Sequence, residues 1–303
     1  MDKKEIKTGQ EYQLEKPIEE TVLYEKVESH IVKLTLNRPE KGNALYPIEG
    51  FEEIAKKVKA AEADDDVKVI ILRGAGENFC TGDDLNRAPF EAFGATRKFR
   101  PPQSWRIHGI RRMMMDVYRT LIYSEKTIIA QIHGWAAGAG TDLVLMSDLA
   151  LAAEDAQFAN YQMRIGFAGF PPYIAMMAFL TLGPKRYREW YLTGRTISAE
   201  KALEWGVVNE VVPREKLEER TLQWAETIAS HSTDGLMIGK TMTHILFDLL
   251  GMHGSFTASN IAHPLFTNVK WRDDEFNFLK VRSEEGASEA FRRREDIWGK
   301  YGF

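Results

Sequence analysis

The spacing of apolar and polar positions changes along the chain in a regular rhythm, and that rhythm predicts the elements. Two alternating runs, Val22 to Val27 and Ile31 to Leu36, have the period of two that half-buried strands require, and an Asn-Arg-Pro turn ends the second. They predict an antiparallel pair. From Ile48 to Ala63 the period widens, with Phe51, Ile54, Ala55 and Val58 at helical spacing, and the continuous apolar run VKVIILRG then reads as a buried strand. After the turn FCTGDDL, Asn86 to Pro102 reads as a surface loop and Ile107 to Tyr123 as a helix with Met113, Val117 and Leu121 on one face. The unit then recurs as a strand in TIIAQIHG, a glycine-fronted apolar helix in AAGAGTDLVLMSD, and a further strand with its turn in LALAAEDAQF. IGFAGFPP leads into another apolar helix, and from Pro213 onward the chain is strand-poor with interleaved charge. The pattern predicts a layered α/β fold followed by a helical segment that serves as an appendage or an oligomer contact.

Composition narrows the function classes. A chain of 303 residues, 44 % hydrophobic, buries a core of its own, and its formal net charge of -4 gives no reason to expect a nucleic acid. No apolar run approaches the roughly 20 residues that span a bilayer, and the charged opening MDKKEIKTGQEYQLEKPIEE lacks the apolar stretch of a secretory signal. No membrane partner and a cytoplasmic location are the expectation. The one cysteine, Cys80, excludes an internal disulfide and a cysteine metal cluster, and it reads as a packed small hydrophobe. No histidine pair has zinc spacing, so no metal is expected, and His133 reads as a packing histidine.

The candidate chemistry lies in the glycines. A helix that opens on GAG exposes unpaired backbone N–H groups and a partial positive charge, which favour an oxyanion or a phosphate. Gly138 and Gly140 match the first two glycines of a dinucleotide fingerprint, but Leu143 stands at the third, and no GxSxG elbow is present. FCTGDDL and GWAAGAG, each following a strand, can instead present one N–H apiece to a single oxygen, which is what a developing enolate needs.

These stretches carry a resemblance. ENFCTGDDL, IHGWAAGAGTDLVLMSDLALAAEDAQF, LTGRTISAEKALEWGVVNEVVP, the terminal EEGASEAFRRR and the early LNRPEKGNAL resemble the enoyl-CoA hydratase/isomerase, or crotonase, family, in the family's order and from about Val22 to Arg294. The resemblance implies a crotonase-like spiral of ββα units with a C-terminal helical segment, a homotrimer or homohexamer, and an acyl-CoA thioester as substrate. Coenzyme A is then part of the substrate, with no separate cofactor. The division implied is an extension at 1–20, an acyl-CoA-binding core at 21–212 and an oligomerisation segment at 213–303. By the same resemblance the thioester oxygen is held by the backbone N–H groups of Asp83 and Ala139, with Gly82, Gly138 and Gly140 giving it access. Lys41 and Ala44 are expected to contact the CoA moiety, and Arg282 to approach its phosphates from a neighbouring subunit.

The chain departs from the two-glutamate pattern of the family's hydratases, with Asp142 at the first position and Gln162 at the second. An amide orients water but transfers no proton near neutrality, so Asp142 is the expected acid/base and Gln162 the expected positioning group. The Asp83 carboxylate is expected to turn away from a developing enolate unless it too handles protons, and Asp84 to be structural. Trp135 and Tyr161 are candidate walls of the acyl pocket, as are Trp105, Met113, Met114 and Tyr118. The leading expectation is hydration or dehydration of a conjugated, bulky or cyclic enoyl-CoA. Double-bond isomerisation or hydrolysis of a cyclic β-keto acyl-CoA is the alternative, and a non-catalytic CoA-ester-binding protein is the third reading.

Overall fold

The computed structural model describes residues 20–85, 103–167, 170–266 and 270–302. Strand β1 (Val22–Glu28) pairs antiparallel with β2 (Ile31–Leu36), and helix α1 (Glu49–Glu62) leads to β3 (Val69–Gly74), which lies parallel to β2. Next come α2 (Gln103–Ile110), a π-helical turn (Arg111–Met115), α3 (Asp116–Ile122) and β4 (Thr127–Ile132), then β5 (Trp135–Ala137), α4 (Ala139–Met146), β6 (Leu149–Ala153) and β7 (Gln157–Ala159). The kinked α5 (Pro172–Thr193), β8 (Thr196–Ser198), α6 (Ala199–Glu204) and β9 (Glu210–Val212) complete the strands, and α7 (Leu217–Ala229), α8 (Thr233–Leu249), α9 (Met252–Phe266), α10 (Phe278–Glu285) and α11 (Ala287–Trp298) follow.

Six strands form the main sheet in the order β1-β2-β3-β4-β6-β9, parallel after the first pair, and β5-β7-β8 form a small second sheet. The period of two in β3 explains its two environments. Ile70 and Leu72 enter the larger core with Phe51, Ile54 and Leu143, whereas Val69 and Ile71 face the other way onto Leu217 and Ala225 of α7. The helical segment expected from 213 onward therefore begins by covering the sheet, and the helices that leave it start at α8.

The N-terminal hairpin, α1, β3, β4 and the glycine-fronted helix stand where the pattern predicts them. Two predicted boundaries move. Trp135 to Ala137 form β5, ahead of the helix, because they pair in parallel with Gln157 to Ala159. The helix expected from Ile107 begins at Gln103 and passes through the π-helical turn before reaching Ile122. The expected loop at 86–102 and the extension at 1–19 lie outside the described residues.

Candidate active site

The two glycine turns meet beside β5. Beyond β3 the chain runs alongside the small sheet, with Phe79 N–H donating to His133 O (2.8 Å), Cys80 N–H to Trp135 O (2.9 Å) and Ala137 N–H to Cys80 O (2.9 Å). Gly82 (φ 98) and Gly138 (φ 52) then take left-handed backbone conformations, which a side chain would strain. Space makes the same demand. A Cβ on Gly82 would lie 2.8 Å from Ala137 O and 3.4 Å from Ala139 N, and one on Gly140 would lie 2.2 Å from Cys80 O. Ala139 is the first residue of α4, and neither its N–H nor that of Asp83 donates to a backbone carbonyl among the described residues. The turns thus bring two N–H groups not spent on backbone carbonyls together at a positive helix end.

Asp142 sits in the same first turn and is 1 % exposed. Tyr118 O–H donates to its Oδ2 at 3.3 Å, while Oδ1 is buried without a partner. Burial pushes the Asp142 carboxyl well above the usual carboxylate range, the nearby Asp83 charge adds to this, and the Tyr118 hydrogen bond partly offsets it. Asp83 itself is raised to about 6, chiefly by burial, with its own backbone N–H favouring the ionised form. The charge of Asp83 in turn raises Asp142, Tyr118 and Tyr173 alike. A thioester oxygen reaching the Asp83 N–H has to displace the carboxyl or meet it protonated.

Aromatic rings wall the carboxylates. Tyr118 stacks on Tyr173 (5.1 Å, 14°), which stacks on His263 of α9 (5.9 Å, 18°). Tyr118 and Met114 are buried as the apolar-pocket reading expects, and the side chains of Trp105 and Met113 lie outside the described residues. Tyr173 was not predicted from sequence. Its signal is a tyrosine on a buried helix face, where a hydroxyl needs a polar neighbour.

Gln162 precedes a 3-10 turn (Met163–Ile165), is 9 % exposed, and leaves its Oε1 buried without a partner. The turn reaches α4 through Ala159, whose carbonyl accepts from Gly138 N–H (2.9 Å) and Thr141 Oγ1 (3.0 Å). Tyr161 points elsewhere, with its hydroxyl 2.8 Å from Thr196 Oγ1 and the Arg294 guanidinium 4.3 Å from its ring centroid. Trp135 is exposed at the start of β5, because strand alternation sends Ala136 into the core and Trp135 out. Neither ring has a contact with Asp142 of the kind that Tyr118 makes among the described residues.

Lys41 is exposed and Ala44 partly so, on a loop zipped to the Asp83 turn. Arg282, the expected phosphate contact for another subunit, donates from its Nη2 to Leu85 O of its own chain. Burial raises the Cys80 thiol to about 12 and removes it as a nucleophile. His133 is held as a packing group, Nε2 to Gly76 O at 2.9 Å, with burial lowering its pKa. Among the described residues no three His, Cys, Asp or Glu side chains gather as a metal site, and no helix is long and apolar enough to cross a membrane.

Comparison with known proteins matches this geometry to one family. The profile of the enoyl-CoA hydratase/isomerase family matches residues 26–249. The 1,2-epoxyphenylacetyl-CoA isomerase of Escherichia coli (strain K12) is 33% identical over 213 residues, covering 69% of this chain and 77% of the relative. An enoyl-CoA hydratase from Mycobacterium smegmatis superposes with a TM-score of 0.80 at 27% identity, covering 93% of this chain and 97% of the other. An enoyl-CoA hydratase/isomerase from Xanthobacter autotrophicus Py2 gives 0.77 at 28%, covering 91% and 98%.

Proposed function

The chain belongs to the enoyl-CoA hydratase/isomerase family, and from that premise we propose that it moves a double bond within an acyl-CoA thioester by a one-carboxylate proton shuttle. The observation that carries the reading is buried Asp142, three residues after Ala139, with Oδ1 unpartnered, Tyr118 on Oδ2 and an amide, Gln162, where the second acid of a two-glutamate site would stand. Ionised Asp142 removes a proton from the α-carbon of a β,γ-enoyl thioester, and the electrons shift onto the thioester oxygen as a dienolate whose other terminus is the γ-carbon. The N–H groups of Asp83 and Ala139 hold that oxygen, where one such donor is worth about 3 to 4 kcal/mol of barrier. Protonated Asp142 or solvent then returns a proton to the other terminus of the dienolate, and the charge on oxygen collapses back. A raised carboxyl pKa suits this work, because it narrows the gap between the base and a carbon acid. The named activity of the Escherichia coli relative, an isomerase, supports the same class.

A second reading, hydration, is favoured by the unpartnered Gln162 Oε1, an acceptor able to orient a water. One experiment separates the two and tests both. With a panel of linear, aromatic and alicyclic enoyl-CoA esters in labelled water, isomerisation adds no heavy oxygen, whereas hydration adds one atom and ring hydrolysis also incorporates label. Asp142→Asn should lower kcat by about 10²- to 10⁴-fold while CoA-ester affinity holds. Undiminished turnover in that variant sinks the shuttle. Exposed Ile238, Met242, Ile245 and Leu249 on α8 support association through the C-terminal helices into a homotrimer or homohexamer.

A further inference from the structure

We propose that Asp84 is a positioning residue, holding the Asp83 N–H donor in place through a buried ion pair with Arg38 and the neighbouring charge of Arg282. The inference rests on the donor assignment made under the proposed function, and it adds what fixes the donor.

The turn at 81–85 has no helix or strand of its own to set its geometry, so its geometry comes from the loop at 38–46. Thr81 N–H donates to Gly42 O (3.0 Å), Leu45 N–H to Gly82 O (2.8 Å) and Asp84 N–H to Leu45 O (2.9 Å), which makes a one-residue parallel bridge between Leu45 and Asp83. Backbone bonds alone would let the bridge slide or fray. Arg38 prevents this, with Nη2 3.0 Å from Asp84 Oδ2 at side-chain exposures of only 10% and 9%. Its Nη1 donates to Ala44 O, and its guanidinium stacks 3.6 Å over the Tyr46 ring. Arg38 N–H is itself fixed by Asn43 Oδ1 (2.9 Å), whose Nδ2 reaches Ala75 O (2.8 Å) and Asn78 O (2.7 Å).

From the other end of the chain, Arg282 of α10 donates to Leu85 O, and its guanidinium interacts with the Asp84 charge. The peptide units on either side of Asp83 are therefore pinned, one by the bridge through Gly82 and one by Asp84 between two arginines. A buried ion pair is a poor source of net stability, because desolvation takes back most of the attraction. The guanidinium fork, by contrast, with Nη2 on Asp84 Oδ2 and Nη1 on Ala44 O, fixes the direction of the turn against the loop. A donor displaced by about 1 Å loses about 10²-fold in rate, which is the scale on which this cluster acts.

The test uses Asp84→Asn, Arg38→Met and their double variant, with kcat, unfolding temperature and the infrared carbonyl band of a bound saturated acyl-CoA carrying ¹³C at the thioester. Each single variant should lose about 10- to 100-fold in kcat without losing CoA-ester affinity, and the bound carbonyl band should move back toward its free-solution frequency. The double variant, with neither charge of the pair left buried, should recover unfolding temperature but not kcat or the band. Should Asp84→Asn fail to fold, Arg38→Lys keeps the charge, gives up the fork and should show the same shift at smaller size. A band and kcat unchanged in the single variants, or a kcat that recovers with stability in the double variant, overturns the proposal. A wild-type band already at its solution frequency removes the donor assignment, and this positioning role falls with it.

Discussion

The turn at 80–85 and the turn at 160–166 both abut the start of α4, yet they are built in contrary ways. In the first, backbone groups are bridged to Gly42, Leu45 and Trp135, and the Asp84 carboxylate is paired with Arg38. In the second, both amide atoms of Asn160 and the Oε1 of Gln162 are buried with no hydrogen-bond partner. Buried polar groups left unmatched cost free energy, so a fold keeps them where a ligand or a reaction uses them. The first turn is tied down by paired groups, and the second leaves buried polar atoms unmatched.

Three substitutions break or sharpen this contrast. The largest effect is expected at Gly140, where an alanine Cβ would stand 2.2 Å from Cys80 O and force α4 away from the first turn. Gly140→Ala should cut kcat by about 100-fold or more, since the two donors separate by the ångström that such sites do not tolerate. A variant with normal turnover would show that the two turns need not touch. Next comes Gln162→Glu at the second turn. A second acid there should raise labelled-oxygen incorporation by about tenfold or more over the parent and leave CoA-ester binding alone. An unaltered product ratio would place residue 162 away from the reacting carbons.

The smallest effect concerns stability. The folded Asp83 carboxyl, at about 6, lies above its ordinary value of 3.8, so between those limits the folded chain binds more protons than the unfolded one. Its burial therefore costs nothing below about pH 3.8, costs more as pH rises to about 6, and stays constant above. Asp83→Asn should gain on the order of 3 kcal/mol in denaturant titration at pH 7 and nothing at pH 3. An equal gain at both values would assign the effect to packing.

Much of the fold is legible because burial imposes a period. VKVIILRG is β3, and the expected hairpin is β1 and β2, since apolar alternation and the Asn-Arg-Pro turn act locally. What stayed illegible depends on partners distant in sequence. Trp135 to Ala137 become a strand only because β7 lies beside them. At the site, the glycines were readable from their place in a helix start, and Asp142 was singled out only by the resemblance to the family's two-glutamate pattern. The raised pKa of Asp83, the Tyr118 hydroxyl on Asp142 and the turning of Tyr161 toward Thr196 were not readable, because each is set by a contact made after the chain has folded. Arg38 sat in plain view in LNRPEKGNAL, but nothing local marks it as the partner of a residue 46 positions on.

The lone thiol lies on the seam between these turns, with Cys80 O against Gly140 and its carbonyl and N–H both tied to β5. Sealed and protonated, it is out of reach of an alkylating reagent until that seam parts. Because the chain has one cysteine, the rate of its labelling is a clock for a single local event. The protein thus comes equipped with a chemical stopwatch for the parting of this turn from the start of α4.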